Sequence, residues 1–220
     1  MPKVRFQIAI SLDGYAAGPN QSEENPLGEG GMQLHEWAVK LDAWREAHGH
    51  EGGETNPSSA VVKQAQENVG AVVMGRNMFG GGPGPWSDDD PWNGWWGDDP
   101  PFHVPVYVVT HHPREPLVMQ GGTTFHFVTD GVESALAQAK EAAGEKDVAV
   151  AGGASVIQQH LSAGLVDEMQ LHVVPILLGS GERLLDNLGG ADIALEQTGV
   201  VEAPGVTHLT YSVAKRASAS

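Results

Sequence analysis

The sequence predicts an α/β fold: a central, mostly parallel sheet with helices on both faces and an antiparallel strand pair at the C-terminal end. Three observations carry that prediction. Short apolar runs of strand length alternate along the chain with stretches whose apolar residues recur at helical spacing, the pattern of parallel strands joined by crossover helices. Two of the strands run straight into glycine, at Met74-Gly75-Arg76-Asn77 and at Ala151-Gly152-Gly153-Ala154. The last two strand-like runs are too close together for a crossover helix, so they pair antiparallel.

The elements follow in order. Val4, Phe6, Ile8 and Ile10 alternate with Arg5, Gln7 and Ala9, a strand of period two that ends at Ser11-Leu12-Asp13-Gly14. A Gly-, Pro- and Asn-rich loop runs to Gly31. Leu34, Trp37, Ala38, Leu41 and Trp44 then recur at helical spacing and predict one amphipathic helix over residues 32–48. After a loop, Asn56-Pro57 has the form of an N-cap followed by proline at the first helical position. That helix presents Val61, Ala65 and Val69, with Gly70 as its cap, and a strand follows at 71–74.

Residues 80–103 hold four of the six tryptophans among glycines, prolines and aspartates. The stretch is too apolar for a solvated linker and too rich in breakers for a regular element, so it reads as an ordered loop whose indoles pack on the body or on a second subunit. Strands are expected at 104–110 and 124–129, a helix at 132–143 and a strand at 148–151. A helix then opens at Gly152-Gly153-Ala154-Ser155 and closes at Gly164, and a strand covers 169–174. A tight turn at Gly179-Ser180-Gly181 precedes the final strands, 195–201 and 206–213, and residues 214–220 read as a flexible tail.

Length and composition fit this picture. With 220 residues, 40% hydrophobic and 18% charged, the chain reads as one globular domain over residues 1–220. The absence of cysteine removes thiolate metal sites and cysteine nucleophiles. No apolar run approaches the ~18 residues of a membrane helix, and the N-terminus enters a strand with no signal-like segment, so a soluble, cytoplasmic protein is expected. Twelve basic against 28 acidic residues give a formal charge of −16, with no basic cluster, which argues against nucleic acid as a partner. In such a field an anionic ligand binds only where Arg, His and backbone N–H groups gather.

Three strand ends gather them. At Gly152-Gly153-Ala154-Ser155 the glycines allow close approach to a diphosphate, and the helix start adds partial positive charge worth roughly 0.3–1 kcal/mol. No G-x-G-x-x-G accompanies them, so an ordinary dinucleotide fingerprint is missing. At Gly75-Arg76-Asn77 an arginine just past a strand suits bidentate contact with a phosphate. At Thr110-His111-His112-Pro113-Arg114 a hydroxyl, imidazoles and a guanidinium suit a 2′-phosphate, favouring NADP over NAD. Adjacent histidines on a strand face opposite sides and chelate a metal poorly. Neither the acidic runs at Asp88-Asp89-Asp90 and Asp98-Asp99 nor His48, His50 and Glu51 have the spacing of a defined metal site, and no metal is expected.

Taken in order, Ser11-Leu12-Asp13-Gly14, Val73-Met74-Gly75-Arg76, Val108-Val109-Thr110, Ala151-Gly152-Gly153-Ala154, Leu165-Val166-Asp167-Glu168 and Pro175-Ile176-Leu177-Leu178-Gly179-Ser180-Gly181 resemble the landmarks of the dihydrofolate reductase superfamily. The resemblance is to its branch around the reductase domain of riboflavin biosynthesis, and it covers most of the chain. It implies a dihydrofolate reductase-like sheet of about eight strands with NADPH lying across the strand ends.

By position, it implies Gly75, Arg76 and Asn77 at the adenosine-side phosphates. Thr110 and His111, with Arg114, would lie at the 2′-phosphate. Gly152, Gly153, Ala154, Ser155 and Val156 would hold the diphosphate, and Ala9 would back the nicotinamide. Met78 stands where true dihydrofolate reductases carry a hydroxyl residue. Asp13 matches an acid of the riboflavin branch, and Glu36, with His35 beside it, matches the helical acid of the folate branch; both are candidate proton donors. A homodimer is also implied.

The function expected is NADPH-dependent hydride transfer to a small heterocycle, similar to 5-amino-6-(5-phosphoribosylamino)uracil reductase. Without cysteine, no zinc deaminase of the H-x-E and P-C-x-x-C type accompanies it. Dihydrofolate reductase itself is a second reading, with Arg45 the one candidate for folate's glutamate tail. An NADP-binding protein without turnover is a third.

Overall fold

A computed structural model describes residues 1–87 and 91–214; the Asp88-Asp89-Asp90 run and most of the expected tail lie outside the described residues. The chain begins with β1 (Val4–Ser11) and a short β2 (Tyr15–Ala17), then α1 (Glu36–Val39), α2 (Asp42–Ala47) and α3 (Pro57–Gln66). β3 (Val69–Gly75), α4 (Arg76–Phe79), β4 (Pro105–Val109), β5 (Leu117–Val118) and β6 (Thr124–Val128) follow. Then come α5 (Val132–Ala143), β7 (Asp147–Gly152), α6 (Ala154–Ser162), β8 (Glu168–Val174), β9 (Glu182–Arg183), β10 (Leu195–Ala203) and β11 (Val206–Val213). Nine strands form one sheet in the order β10-β11-β8-β1-β7-β3-β4-β6-β5, while β2 pairs with β9 alone.

The five pairings from β8 through β1, β7, β3 and β4 to β6 are parallel. The C-terminal pair β10–β11 joins β8 antiparallel, as the short connection requires. Alternation along the strands divides the core. Val4, Phe6, Ala71, Val73, Tyr107, Val148 and Val150 face α5 and α6. On α5 the buried residues Val132, Ala135, Leu136, Ala139 and Ala143 repeat at three and four, giving one apolar stripe toward the sheet.

The opposite face is covered in two parts. The N-terminal helices lie over β1, β8 and β11, with Leu34 and Trp37 packed near Ala9, Val174 and Val206. Over β3, β4 and β6 the cover is the Trp-rich loop: Trp86, Trp92, Trp96 and Phe102 pack on Val72, Met74, Phe79, Val106, Val108 and Phe125. The indoles therefore pack on the body of the same chain. Between the two covers a cleft of about 760 Å³ crosses the sheet, with Gln7, Gln170 and Thr210 on its floor and Val61 and Phe102 on its walls.

The helix expected over 32–48 is broken. Residues 31–34 form a 3-10 turn, and Leu41 is extended (φ −73°, ψ 145°), separating α1 from α2. The break has a long-range cause. Asp42 N–H donates to the Glu54 carbonyl and Glu54 N–H to the Lys40 carbonyl, so these backbone groups are satisfied by the returning chain rather than by the helix. Gly53 lies against that crossing, where a Cβ would stand 2.6 Å from Asp42 N. The next expectation also shifts: α3 starts on the Asn56 cap, whose side chain accepts from Ser58 N–H at 2.8 Å, but Val69 and Gly70 belong to β3, not to the helix.

Behind the N-terminal helices runs a buried polar chain. His172 Nε2 meets Gln7 Oε1 at 3.2 Å, His172 and His208 meet Nδ1 to Nδ1 at 2.8 Å, and His208 Nε2 meets Ser58 Oγ at 2.8 Å. Trp37 sets its edge against both imidazoles at 5.0 Å. One proton per contact is satisfied by two neutral rings, with His172 Nε2–H donating to Gln7 Oε1, His208 Nδ1–H to His172 Nδ1 and Ser58 Oγ–H to His208 Nε2. Burial holds His172 down at about 3, helped by His208 and His35, and His208 at about 4. No described helix is long and apolar enough to cross a membrane.

Candidate active site

The parallel strands deliver their C-terminal ends to one edge of the sheet, where turns and helix starts converge. β3 ends at Gly75 and β7 at Gly152, on neighbouring strands. A Cβ on Gly75 would stand 2.8 Å from Val156 Cγ2, so the start of α6 sits directly against the end of β3, and only glycine leaves room for that approach. Gly152 has φ 124°, and Met78 of α4 closes over it, its Sδ 3.7 Å from where a Cβ would be. Gly153 is the N-cap of α6 and faces open space, with nothing within 4 Å of a Cβ built there. The structure thus brings Gly75, Arg76, Asn77, Gly152, Gly153, Ala154, Ser155 and Val156 to one place. Ala154 and Val156 are buried, while Ser155 and Asn77 are exposed.

β4 lies beside β3 with Val109 opposite Gly75, which puts Thr110 and His111 next to Arg76. Thr110 is buried, and its Oγ1 accepts from His112 N–H at 3.2 Å; His111 is exposed. Ala9 is buried on β1 opposite His172. Since Phe6 pairs with Val150, continuing that register sets Ala9 level with the Gly152-Gly153 turn.

Arg76 and Arg114 share one indole. The Arg76 guanidinium lies 3.2 Å from the centre of the Trp86 ring, and that of Arg114 lies 5.1 Å from it. Arg76 Nε donates to the Gly80 carbonyl and Nη2 to the Gly81 carbonyl, each at 2.9 Å, whereas Nη1 is buried without a hydrogen-bond partner among the described residues. Arg114 donates to the Trp92 carbonyl and to Asn93 Oδ1. Desolvation lowers both arginine pKa values, and for Arg76 the neighbouring Arg114 adds to it. Two desolvated cations in an acidic protein favour an anion beside them.

Of the two candidate acids, Asp13 reaches this edge. It accepts from Ser11 Oγ at 2.6 Å, from Leu178 N–H at 3.1 Å and from Gly179 N–H at 2.7 Å. The Ser11 bond, reinforced by the two backbone donors, lowers its pKa to about 2. Asp13 therefore fastens the loop after β8 to the turn after β1 as a carboxylate. Glu36 opens α1 and is exposed, and it is His35 beside it that turns inward, where burial lowers its pKa.

The residues outside the site also have clear placements. Arg45 donates from both Nε and Nη2 to the Glu51 carbonyl, at 3.1 and 3.0 Å. His48 bonds the Trp44 carbonyl and stacks on the Trp44 ring at 3.8 Å.

Two residues escaped sequence reading. Trp86 has no motif around it, and only the fold places it between Arg76 and Arg114. Glu182 is half-buried on β9, and burial raises its pKa, opposed by the Ser155 N–H at the start of α6. It follows the quoted Gly179-Ser180-Gly181 turn immediately, yet nothing local signals a partner 27 residues earlier in the chain.

Comparison with known proteins adds the following. The RibD C-terminal domain matches residues 2–209. No curated protein sequence matches the chain. A protein described as a riboflavin biosynthesis protein, from Shewanella sp. PV-4, superposes with TM-score 0.60 at 24% identity, over 96% of this chain and 99% of that one. A pyrimidine reductase-like protein from Corynebacterium diphtheriae gives 0.56 at 15% identity, over 98% and 93%. The Thermotoga maritima diaminohydroxyphosphoribosylaminopyrimidine deaminase/5-amino-6-(5-phosphoribosylamino)uracil reductase gives 0.54 at 14% identity; it covers 97% of this chain, which spans only 57% of that longer one. At these identities the solved structures establish a shared fold.

Proposed function

Because the chain belongs to the RibD C-terminal domain family, whose members are NADPH-using oxidoreductases, we propose that it reduces a small aminopyrimidine with NADPH, in the manner of the riboflavin-pathway reductase. The observation that carries the reading is the convergence at the strand ends. There the open Gly152-Gly153 turn, the α6 start without a side-chain cap from its own N-cap residue, and the partly unsatisfied Arg76 lie together.

These residues fit the cofactor. Gly152 to Val156 would hold the diphosphate through backbone N–H groups. Gly75, Arg76 and Asn77, with Thr110, His111 and Arg114, would hold the phosphates on the adenosine side, and Ala9 would back the nicotinamide. When bound, NADPH supplies the hydride. The chain's own work is to position, to exclude water and to order the site. Asp13, ionised far below neutral pH, is a poor proton donor there and serves as the positioning carboxylate that fixes the loop over the strand ends.

The folate reading loses its one candidate for the glutamate tail, because Arg45 is committed to the Glu51 carbonyl. A homodimer and a cytoplasmic location remain parts of the proposal, open to sedimentation and cell fractionation.

Two measurements test the reading. In tryptophan-fluorescence titrations, with Trp86 inside the site, NADPH is expected to bind more tightly than NADH. Arg76→Ala is expected to weaken NADPH at least about tenfold, the scale of a lost hydrogen bond to a charged group. Absence of binding by either nucleotide would overturn the proposal. In steady-state NADPH oxidation with the aminopyrimidine, Asp13→Asn is expected to lower kcat about tenfold with little change in KM for NADPH. Glu36→Gln, altering an exposed side chain, is expected to stay within about twofold; a larger loss in Glu36→Gln than in Asp13→Asn would reverse the two assignments.

A further inference from the structure

β1 lies inside the nine-stranded sheet, paired with β8 on one side and β7 on the other, yet its Gln7 is exposed. A strand paired on both sides in a parallel sheet is ordinarily covered on both faces by apolar residues. Here a row of polar side chains crosses three strands instead. Gln7 stands beside Gln170 of β8, and Gln170 beside Thr210 of β11. The row forms part of the floor of the cleft of about 760 Å³ between the N-terminal helices and the Trp-rich loop.

Each glutamine is held by one end of its amide. Gln7 Oε1 accepts from His172 Nε2 at 3.2 Å, at the head of the buried imidazole chain. Gln170 donates from Nε2 to Thr210 Oγ1 at 3.0 Å. Among the described residues nothing bonds the other two ends, the amide nitrogen of Gln7 and the carbonyl oxygen of Gln170. One is a donor and the other an acceptor, on neighbouring strands about 4.8 Å apart. A donor and an acceptor side by side complement a ring amide, whose carbonyl and N–H sit on adjacent atoms.

The cleft has room for such a ring next to the pair. On the other side of Gln7 runs β7, whose Ala149 stands opposite Arg5; continued by two residues, that register sets Ala151 beside Gln7. Both alanines line the cleft, and Val61, Met78 and Phe102 give it apolar walls. Ala151 immediately precedes the Gly152-Gly153 turn, so a ring over Ala151 lies next to the turn assigned to the cofactor. A few polar groups fixed in an otherwise apolar cleft are what orients a small ligand.

We infer that Gln7 and Gln170 read the amide edge of the substrate ring, Gln7 donating to a ring carbonyl and Gln170 accepting from the adjacent ring N–H. The inference rests on the reading of the strand ends as an NADPH-dependent reductase site, and it names the edge by which that site selects a pyrimidinone. His172 and Thr210 fix which end of each amide is free. A ring without the N–H leaves the Gln170 carbonyl unpaired, and selectivity follows from that loss.

The test is calorimetric titration of the NADP⁺-saturated chain with 5,6-diaminouracil and with its 3-methyl derivative, in which the ring N–H is replaced. The wild-type chain is expected to bind the unmethylated ring at least about tenfold more tightly, the scale of one hydrogen bond lost with its acceptor left unsatisfied. Gln170→Met keeps the length of the side chain and removes the acceptor, and it is expected to bring the two affinities within about twofold. Its NADP⁺ affinity is expected to match wild type, which also reports that the variant is folded. Equal binding of the two rings by the wild-type chain overturns the inference and leaves the cofactor site standing; that arm needs no variant to fold. A preference that survives in Gln170→Met overturns it as well, and so does failure of both rings to bind the NADP⁺-loaded chain. No NADP⁺ binding by the wild-type chain overturns the reductase reading itself, and the inference with it.

Discussion

Lowering the pH from 7 to 5 is expected to remove about 4 kcal/mol of folding stability, a large fraction of what a domain of this size possesses. The source is the buried pair His172 and His208, whose pKa values of about 3 and about 4 lie well below the 6.5 of an unfolded histidine. Between those limits the unfolded chain binds protons that the folded chain refuses, so stability falls as pH falls. At pH 5 the difference amounts to about 2 kcal/mol for each ring. The refusal comes first from burial, which leaves a charged imidazole without solvation, and for His172 the neighbouring His208, its Nδ1 at 2.8 Å, adds like-charge repulsion. Urea unfolding at several pH values measures this, and His208→Gln is expected to remove about half of the slope. A stability that is flat between pH 7 and 5 would show that the pair titrates normally.

Phe79→Ala is expected to cost about 3–5 kcal/mol, the range for emptying a large aromatic site in a core. Phe79 is fully buried and meets Trp86, Phe125 and Phe127 edge-on at 5.0–5.7 Å. Its carbonyl also accepts from Trp92 Nε1 at 2.7 Å. It is the point at which a loop with no regular structure is fastened to β4 and β6. Its loss therefore reaches beyond packing: Trp86 loses one wall, and with it Arg76 and Arg114 lose the surface on which they stack. The expected signature is a lower denaturation midpoint together with a red-shifted tryptophan emission and weaker NADPH binding. Destabilisation below about 1 kcal/mol would mean that the loop is held by its own hydrogen bonds rather than by this cluster.

Both effects arise from residues that sequence reading left unassigned, and the reason is instructive. His172 and His208 are 36 residues apart and meet only because β11 returns beside β8. Phe79 follows a strand end with no periodic neighbours. By contrast, α5 lay open to reading because its stripe repeats over three turns, and α3 because Asn56-Pro57 marks a start that is local in the chain. β2, β5 and β9, two or three residues each, offer no period to read. The single helix expected over 32–48 failed for the opposite reason: its periodicity is real, but Glu54 takes the backbone groups on either side of Leu41.

The same division holds at the active site. By itself the sequence determined the α/β class, the order of the long strands, the antiparallel closing pair, and the glycines at the ends of β3 and β7. These are properties of periodicity and of backbone freedom, which act over a few residues and leave their mark in the chain. Only the tertiary structure decided that the start of α6 touches Gly75 and that Trp86 lies between two arginines. It also decided that Asp13 binds a loop 165 residues away. Hydrogen bonds, ring stacking and desolvation act across space between residues far apart in sequence, so their partners exist only once the sheet has brought its strand ends together.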